Sequence, residues 1–185
     1  MSKLSKKSIT VIIIVAVIAA IIAFFAIFGK SLTSKTLTAE KLDDFRNVCY
    51  GNKIANAGAY TNPQSAVVAV FYERPFSDDN PWTNSSVGNA SYSDFAKTNV
   101  VACFDHDAFA GKELARCEDD IKLMSATYKA HFYNAKTGEK IADGNDIVTD
   151  NATCPSTFVY SKLGRETART PDSAALKSVV EQFTK

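Results

Sequence analysis

Residues 122–134 read KLMSATYKAHFYN and alternate between apolar and polar side chains. Successive side chains of a β-strand point to opposite faces of a sheet, so this period of two predicts a strand with one buried and one solvated face. A half-buried strand of this kind is typical of an antiparallel sheet. The buried face is expected to carry Met124, Ala126, Tyr128, Ala130 and Phe132.

The flanking sequence extends this strand into a sheet. Residues 134–138, NAKTG, predict a turn with Gly138 in the left-handed conformation, and residues 139–148 can return as the partner strand. Short apolar runs predict three further strands, at 66–72, 100–104 and 157–160.

A helix is predicted on each side of these strands. On the C-terminal side, Thr170 can cap a helix whose apolar stripe ends at Phe183. On the N-terminal side, an apolar residue at every third position from Leu42 to Val48 predicts an amphipathic helix over residues 38–48.

The most apolar part of the chain precedes these elements. The twenty residues Ile9–Phe28 contain fourteen Ile, Val or Phe, five Ala and one polar residue, Thr10. At about 1.5 Å per residue, a helix of this length matches a hydrocarbon layer of about 30 Å. Lysines without acidic residues before the segment favour a cytoplasmic N-terminus. The lipid bilayer is therefore the expected partner of residues 9–28.

A cleaved signal peptide is the alternative for this segment. Its apolar region is normally about 7–15 residues long and ends at a small-x-small site. Here Phe28 occupies a place that needs a small residue. The expected organisation is a cytoplasmic tail at 1–8, a transmembrane helix at 9–28, a stalk at 29–37 and an extracytoplasmic domain at 38–185.

These elements together predict the fold class α+β. The N-terminal transmembrane helix is expected to be followed by an antiparallel-sheet domain that is flanked by helices and cross-linked by two disulfides.

Charge is nearly balanced, with 21 Lys and Arg against 20 Asp and Glu. Without the three lysines before the apolar segment, 18 basic and 20 acidic residues remain, which gives a net charge of −2. This charge excludes nucleic acid binding driven by bulk positive charge, and a single apolar segment excludes a multi-pass transporter. No nucleic acid partner is expected.

All four cysteines, Cys49, Cys103, Cys117 and Cys154, follow the apolar segment. An even number in an extracytoplasmic domain predicts two disulfides, for which three pairings are open. The favoured pairing joins Cys103 with Cys117, because both border short apolar segments flanking one polar loop, and leaves Cys49 with Cys154. No CxxC motif or zinc-finger spacing indicates a redox or zinc role.

Residues 74–99 lack a clear period and contain the only tryptophan. Loops of this length are uncommon inside compact domains and often carry function. Phe76, Trp82 and Tyr92 are therefore the candidate binding residues of an aromatic loop that recognises an envelope or extracellular protein or a glycan. The alternative is that Phe76 and Trp82 fold back to cover the sheet.

Acidic residues follow two of the cysteines. With the favoured pairing, Asp105, Asp107, Glu118 and Asp119 would lie near one loop, where carboxylate oxygens could hold Ca²⁺ weakly. The spacing matches no EF-hand loop, so a solvated acidic hairpin tip is the alternative.

A hydrolase-like extracytoplasmic enzyme is the second functional interpretation. It would need a nucleophile beside a base, and His106 and His131 are the only imidazoles. The sequence contains no P-loop, HExxH motif, nucleophile elbow or dinucleotide fingerprint. No cofactor is expected.

Several short motifs occur in an order that resembles one bacterial family. They are AGAY at 57–60 after Cys49, VVAVF at 67–71, VAC at 101–103, Cys117, NAKTGEKI at 134–141 and CP at 154–155. The order resembles a family of uncharacterised bacterial extracytoplasmic domains that follow a single membrane anchor or signal sequence. Over most of residues 45–183, the resemblance implies a four-cysteine pairing and a secreted setting, without an activity. The expected function is a single-pass, membrane-anchored extracytoplasmic binding or envelope-associated module.

Overall fold

A mixed β-sheet forms the centre of the computed structural model, which describes residues 34–77, 81–107, 111–156, 160–161 and 165–185. From Thr36 onward these residues belong to one compact unit, Thr36–Lys185. The tail predicted at 1–8, the transmembrane helix at 9–28 and most of the stalk at 29–37 lie outside the described residues. Among the helices that are described, none is both long enough and apolar enough to cross a membrane.

Strands dominate the described part of the chain. The strands are β1 (Thr36–Leu37), β2 (Lys53–Ile54), β3 (Val68–Glu73), β4 (Trp82–Ser85), β5 (Val100–Asp107), β6 (Glu113–Arg116), β7 (Lys122–Met124), β8 (Ala126–Asn134), β9 (Lys140–Asp143), β10 (Ile147–Thr149) and β11 (Glu166–Ala168). Within the same residues there is one α-helix, α1 (Ser173–Phe183), and the other helices are short 3₁₀ segments at Leu42–Val48, Pro63–Ser65, Phe95–Lys97 and Glu118–Asp120.

The predicted fold class, α+β with a transmembrane helix and two flanking helices, is therefore wrong for the described chain. The domain is rich in sheet, and its helices are short. The main sheet has six strands in the order β10-β8-β5-β3-β4, with β9 pairing with β8 next to β10. A separate three-stranded sheet has the order β11-β7-β6, and β1 pairs with β2.

The sequence predicts an antiparallel sheet, but the main sheet is mixed. β3 runs parallel to β5, with Val68 opposite Val100. A parallel pair needs a crossover of a dozen or more residues, and the segment 74–99 supplies one. Within that segment β4 pairs antiparallel with β3, so this stretch is not a featureless loop.

The alternation predicted for residues 122–134 is confirmed in β8. Ala126, Tyr128, Ala130 and Phe132 are buried on one face. The pattern fails at Ser125, which separates β8 from β7, so Met124 belongs to the smaller sheet. The turn after β8 is confirmed as well, because Gly138 has a φ of 70°. The strand expected at 157–160 falls mostly on residues outside the described ranges.

Each face of the main sheet has its own apolar cluster. Tyr128 and Phe132 belong to the first, which α1 covers with Leu176, Val179 and Val180. The rings of Phe132 and Phe183 stack with centroids 4.1 Å apart. α1 confirms the predicted C-terminal helix, but its N-cap is Asp172 and not Thr170. The Asp172 carboxylate accepts a hydrogen bond from the Ala175 amide at 2.7 Å, where the negative charge is favoured by the helix dipole.

The second face is covered by the 3₁₀ segment Leu42–Val48, where an α-helix was expected over residues 38–48. Its three buried residues are spaced three apart, and a 3₁₀ helix has three residues per turn, so all of them point to the sheet. On an α-helix, each would be rotated from the previous one by about 60°. The buried residues are Leu42, Phe45 and Val48.

Two disulfides are present, but their pairing differs from the favoured one. Cys49 is bonded to Cys103, and Cys117 is bonded to Cys154. The 3₁₀ segment ends next to Cys49 and lies on the face of β5 to which Cys103 points, which brings these two residues together. The expected bridge between Cys103 and Cys117 is therefore wrong.

Candidate functional site

The three candidate aromatic residues of the segment 74–99 are placed in three different environments. Trp82 lies in β4 and is only 9% exposed in the second apolar cluster. Phe76 packs against the first cluster with a φ of 58°. Tyr92 is 63% exposed. The structure thus places Phe76 and Trp82 over the sheet, as the alternative interpretation stated, and leaves Tyr92 at the surface.

Tyr92 lines a groove at the edge of the main sheet, which we call the Tyr92 groove. The groove has a volume of about 480 Å³. Its floor is apolar, and its rim carries hydroxyl and amide groups. The lining residues are Leu42, Val68, Ala69, Val70, Asn84, Ser85, Ser86, Gly88, Ala90, Ser91, Tyr92 and Ser93.

Hydrogen bonds connect the rim of the groove to the 3₁₀ segment. The Asn84 side-chain amide donates to the Asp43 carboxylate at 3.1 Å and to the Tyr92 hydroxyl at 2.9 Å. The hydroxyls of Ser91 and Ser93 lie 2.9 Å apart. Asn84 therefore fixes the position of the Tyr92 ring relative to β4.

The loop that forms the far wall of the groove is held against β3 by Asn89. The Asn89 side-chain oxygen accepts a hydrogen bond from the Val68 amide at 2.5 Å, and its side-chain nitrogen donates to the Ala66 carbonyl at 2.9 Å. A Cβ atom on the preceding Gly88 would lie 2.2 Å from the Val68 carbonyl oxygen. The close approach of this loop to β3 therefore requires glycine at position 88.

His131 lies on β8, paired with β5 on one side and with β9 on the other, and its ring sits between two carboxylates. Its Nε2 is 3.2 Å from Asp105, and its Nδ1 is 2.5 Å from Asp143 on β9. Lys140 also contacts Asp143 at 3.0 Å, and Lys140 and His131 together lower the pKa of the Asp143 carboxyl. Burial and the nearby Asp105 charge raise the pKa of Tyr133.

His106 points to the other face of β5, where it stacks on Tyr128 with ring centroids 5.7 Å apart. Its Nδ1 is 3.2 Å from a Glu73 carboxylate oxygen, an ion-pair distance without hydrogen-bond alignment. The backbone amide of His106 donates to the same oxygen at 3.2 Å. The His106 side chain and this amide hold the pKa of Glu73 below its ordinary value.

Neither histidine forms a nucleophile and base pair with another described residue. Within the described residues, both imidazoles contact carboxylates and aromatic rings, and all four cysteines are in disulfides. The described part of the chain therefore contains no nucleophile positioned beside a histidine base, which the hydrolase-like function would need.

The sequence predicts that the candidate calcium ligands lie near one loop, but the structure places them apart. Asp105 contacts His131 on the main sheet, whereas Glu118 and Asp119 lie in a 3₁₀ segment beside the smaller sheet. The side chain of Asp107 is outside what the structure describes. In the described ranges, no three His, Cys, Asp or Glu side chains converge in a way that could hold a metal ion.

Comparisons of the chain with protein-family models, with curated proteins and with solved structures found no match. The resemblance to a four-cysteine extracytoplasmic family is therefore supported only by the two disulfides.

Proposed function

We propose that this protein is a membrane-attached extracytoplasmic binding module that holds a neutral, hydroxyl-rich ligand, of the glycan class, in the Tyr92 groove. The composition of the groove carries the proposal. Among the described residues that line it, none is Lys, Arg, Asp or Glu, and four are serines. An apolar floor with a few oriented polar groups is typical of ligand sites.

The loop over the groove also has the composition of a recognition loop. Residues 85–93 read SSVGNASYS, so serine, glycine, asparagine and tyrosine supply seven of its nine residues. In binding loops tyrosine provides contact area at low entropic cost, and the small polar residues provide adaptable hydrogen bonds. Tyr92 is the expected stacking surface for a sugar ring, with Asn84 and the serines as hydrogen-bonding partners.

The location of the module is inferred from its disulfides and from the apolar segment. Disulfides form and persist in oxidising compartments outside the cytoplasm. The segment 9–28 has the composition that holds a chain at a membrane.

Binding can be tested with immobilised neutral oligosaccharides of the α-glucan, β-glucan and chitin types. The full-length chain is expected to be retained by at least one of them, and Tyr92→Ala is expected to reduce affinity by about tenfold, because stacking and part of the rim are lost. Tyr160→Ala is the matched control, because Tyr160 is also exposed, at 45%, but does not line the groove. The proposal is wrong if no oligosaccharide is retained or if both variants bind equally.

The location has a separate test. A reactive tag placed after Lys185 is expected to be labelled by a membrane-impermeant reagent in intact cells, and the protein is expected in the membrane fraction. Labelling only after lysis would contradict the extracytoplasmic placement without affecting the groove.

A further inference from the structure

A second cleft lies where the end of β3 meets the start of α1, and none of its described lining residues also lines the Tyr92 groove. Its volume is about 570 Å³, within the range of about 300–1,000 Å³ that small-molecule sites occupy. We call it the arginine cleft. The residues that matter here are Tyr72, Arg74, Pro155, Arg169, Thr170 and Asp172.

The charge of this cleft differs from that of the domain around it. Residues 36–185 contain 16 Lys and Arg against 20 Asp and Glu, a net charge of −4. Only five arginines occur in the chain, yet Arg74 and Arg169 both line this cleft. A guanidinium presents a planar pair of donors that fits the two oxygens of a carboxylate. An anion would therefore find its complementary charge here in an otherwise acidic domain.

The backbone of Arg169 is held in place from the buried side. Its carbonyl oxygen accepts a hydrogen bond from the Tyr128 hydroxyl at 3.0 Å and another from the Thr149 hydroxyl at 3.3 Å. Tyr128 is fully buried and Thr149 is buried. The Arg169 guanidinium makes no hydrogen bond or ion pair with any residue of the described part. The structure thus fixes the main chain of Arg169 while leaving its charged group available to a ligand.

Among the described residues that line the cleft, the one acidic residue is Asp172, and it already caps α1. The Asp172 carboxylate accepts the hydrogen bond from the Ala175 amide at the start of α1. The remaining walls are apolar or hydroxyl-bearing, with Pro155 next to the Cys117–Cys154 disulfide and the Tyr72 ring at the end of β3. These walls suit the uncharged part of a ligand.

We infer that the arginine cleft binds a small organic carboxylate, with its carboxylate at Arg169 and its apolar part against Pro155 and Tyr72. This site goes beyond the proposed function, because it has a different place and a different ligand chemistry from the Tyr92 groove. The carboxylate could come from the C-terminus of a short peptide or from an acidic sugar, and the test separates these sources.

The test uses calorimetry on the full-length chain with two pairs of probes. The first pair is acetyl-alanyl-leucine as the free acid and as its C-terminal amide, and the second pair is glucuronate and glucose. At least one acid is expected to bind, and its neutral counterpart at least about tenfold more weakly, because charge-assisted hydrogen bonds to the Arg169 guanidinium are lost. The acid that binds identifies the source. Binding of neither acid, or equal binding of an acid and its neutral counterpart, overturns the inference.

Variants then locate the site. Arg169→Gln is expected to weaken binding of the acid at least about tenfold. Arg165→Gln is the matched control. It removes the same charge four residues before Arg169, and Arg165 does not line the cleft. Nuclear magnetic resonance of the unmodified chain provides a second readout, in which the acid should shift the backbone amide signals of Thr167–Asp172. Equal weakening by the two variants, or shifts confined to other residues, overturns the assignment.

Discussion

At the scale of single residues, the Asn89 side chain satisfies backbone groups beside β3 where no neighbouring strand pairs with them. β4 pairs with β3 only from Val70 onward, and beyond that point the Asn89 side chain bonds to the main chain of Ala66 and Val68. A side-chain amide carries both a donor and an acceptor, so it can satisfy two backbone groups as a neighbouring strand would.

Replacing Asn89 with alanine is expected to lower the free energy of unfolding by about 1–3 kcal/mol, because it leaves two partly buried backbone groups without partners. The measurement is urea unfolding of the full-length chain. Asn145→Ala is the control, since the side-chain hydrogen bond that Asn145 makes within the described residues is an exposed one, to Gln182. A loss at Asn89 no larger than that at Asn145 would contradict this role.

Glu73 gives a prediction about pH. Its pKa is below the ordinary value of 4.5, chiefly because of the His106 side chain, so its contribution to stability is present above that value and is lost as the pH falls through the lower folded value. Glu73→Gln is expected to be less stable than the wild type at pH 6, by about 1 kcal/mol or less. This difference in the free energy of unfolding, which we call the gap, is expected to decrease steadily below pH 4.5.

Urea unfolding at several pH values measures this gap. Glu139→Gln serves as the control, because Glu139 is exposed and its carboxylate has no ion pair among the described residues. A gap at Glu73 that stays constant between pH 6 and pH 3 would show that the contact with His106 does not stabilise the fold.

At the scale of elements, the spacing of three in the segment Leu42–Val48 matters more than its composition. Phe45 is fully buried against the sheet. Phe45→Ala is expected to cost about 3–5 kcal/mol, measured by thermal or urea unfolding, whereas the exposed neighbour Lys41→Ala should change stability little. Similar losses for the two variants would mean that the segment does not pack on the sheet in solution.

The predictable elements are those whose local pattern and tertiary environment agree. The alternation in β8 predicts its buried face, because every residue of that face from Ala126 to Phe132 belongs to the apolar cluster that also contains the buried residues of α1. The segment Leu42–Val48 was assigned to the wrong kind of helix, because a spacing of three is compatible with either helix and only packing on a flat sheet face favours the tighter one. For the same reason, Tyr92 and Trp82 look alike in sequence, although only Trp82 lies in a paired strand.

At the scale of the whole molecule, the pairing of the cysteines follows from the strand order. The parallel pairing of β3 with β5 places β5 in the middle of the sheet, so Cys103 faces the 3₁₀ segment and not Cys117. Local sequence contains no information on that crossover, which is why the favoured pairing failed. The arginine cleft was missed for a related reason, since Arg74 and Arg169 are 95 residues apart in sequence.

The two disulfides are expected to differ in their resistance to reduction. Their separations of 54 and 37 residues correspond to about 4.2 and about 3.8 kcal/mol of chain entropy, which are nearly equal. Their surroundings differ more, because Cys103 is 2% exposed and Cys154 is exposed. Mild reductant should therefore open Cys117–Cys154 first, as measured by thiol alkylation and peptide mass spectrometry. Simultaneous loss of both bonds, or a peptide linking Cys103 to Cys117, would contradict the structure.

The bond between Cys49 and Cys103 also determines how the domain carries mechanical load. A force that pulls on the chain before Thr36 can draw out residues 36–48, an extension of about 45 Å at most. The tension then passes through the disulfide directly to β5, which has a strand hydrogen-bonded on each side. The arginine cleft, whose described lining residues all follow Cys49, is therefore expected to keep its shape under a pull that has drawn out the first segment, whereas the Tyr92 groove would lose Leu42 and the bond between Asn84 and Asp43.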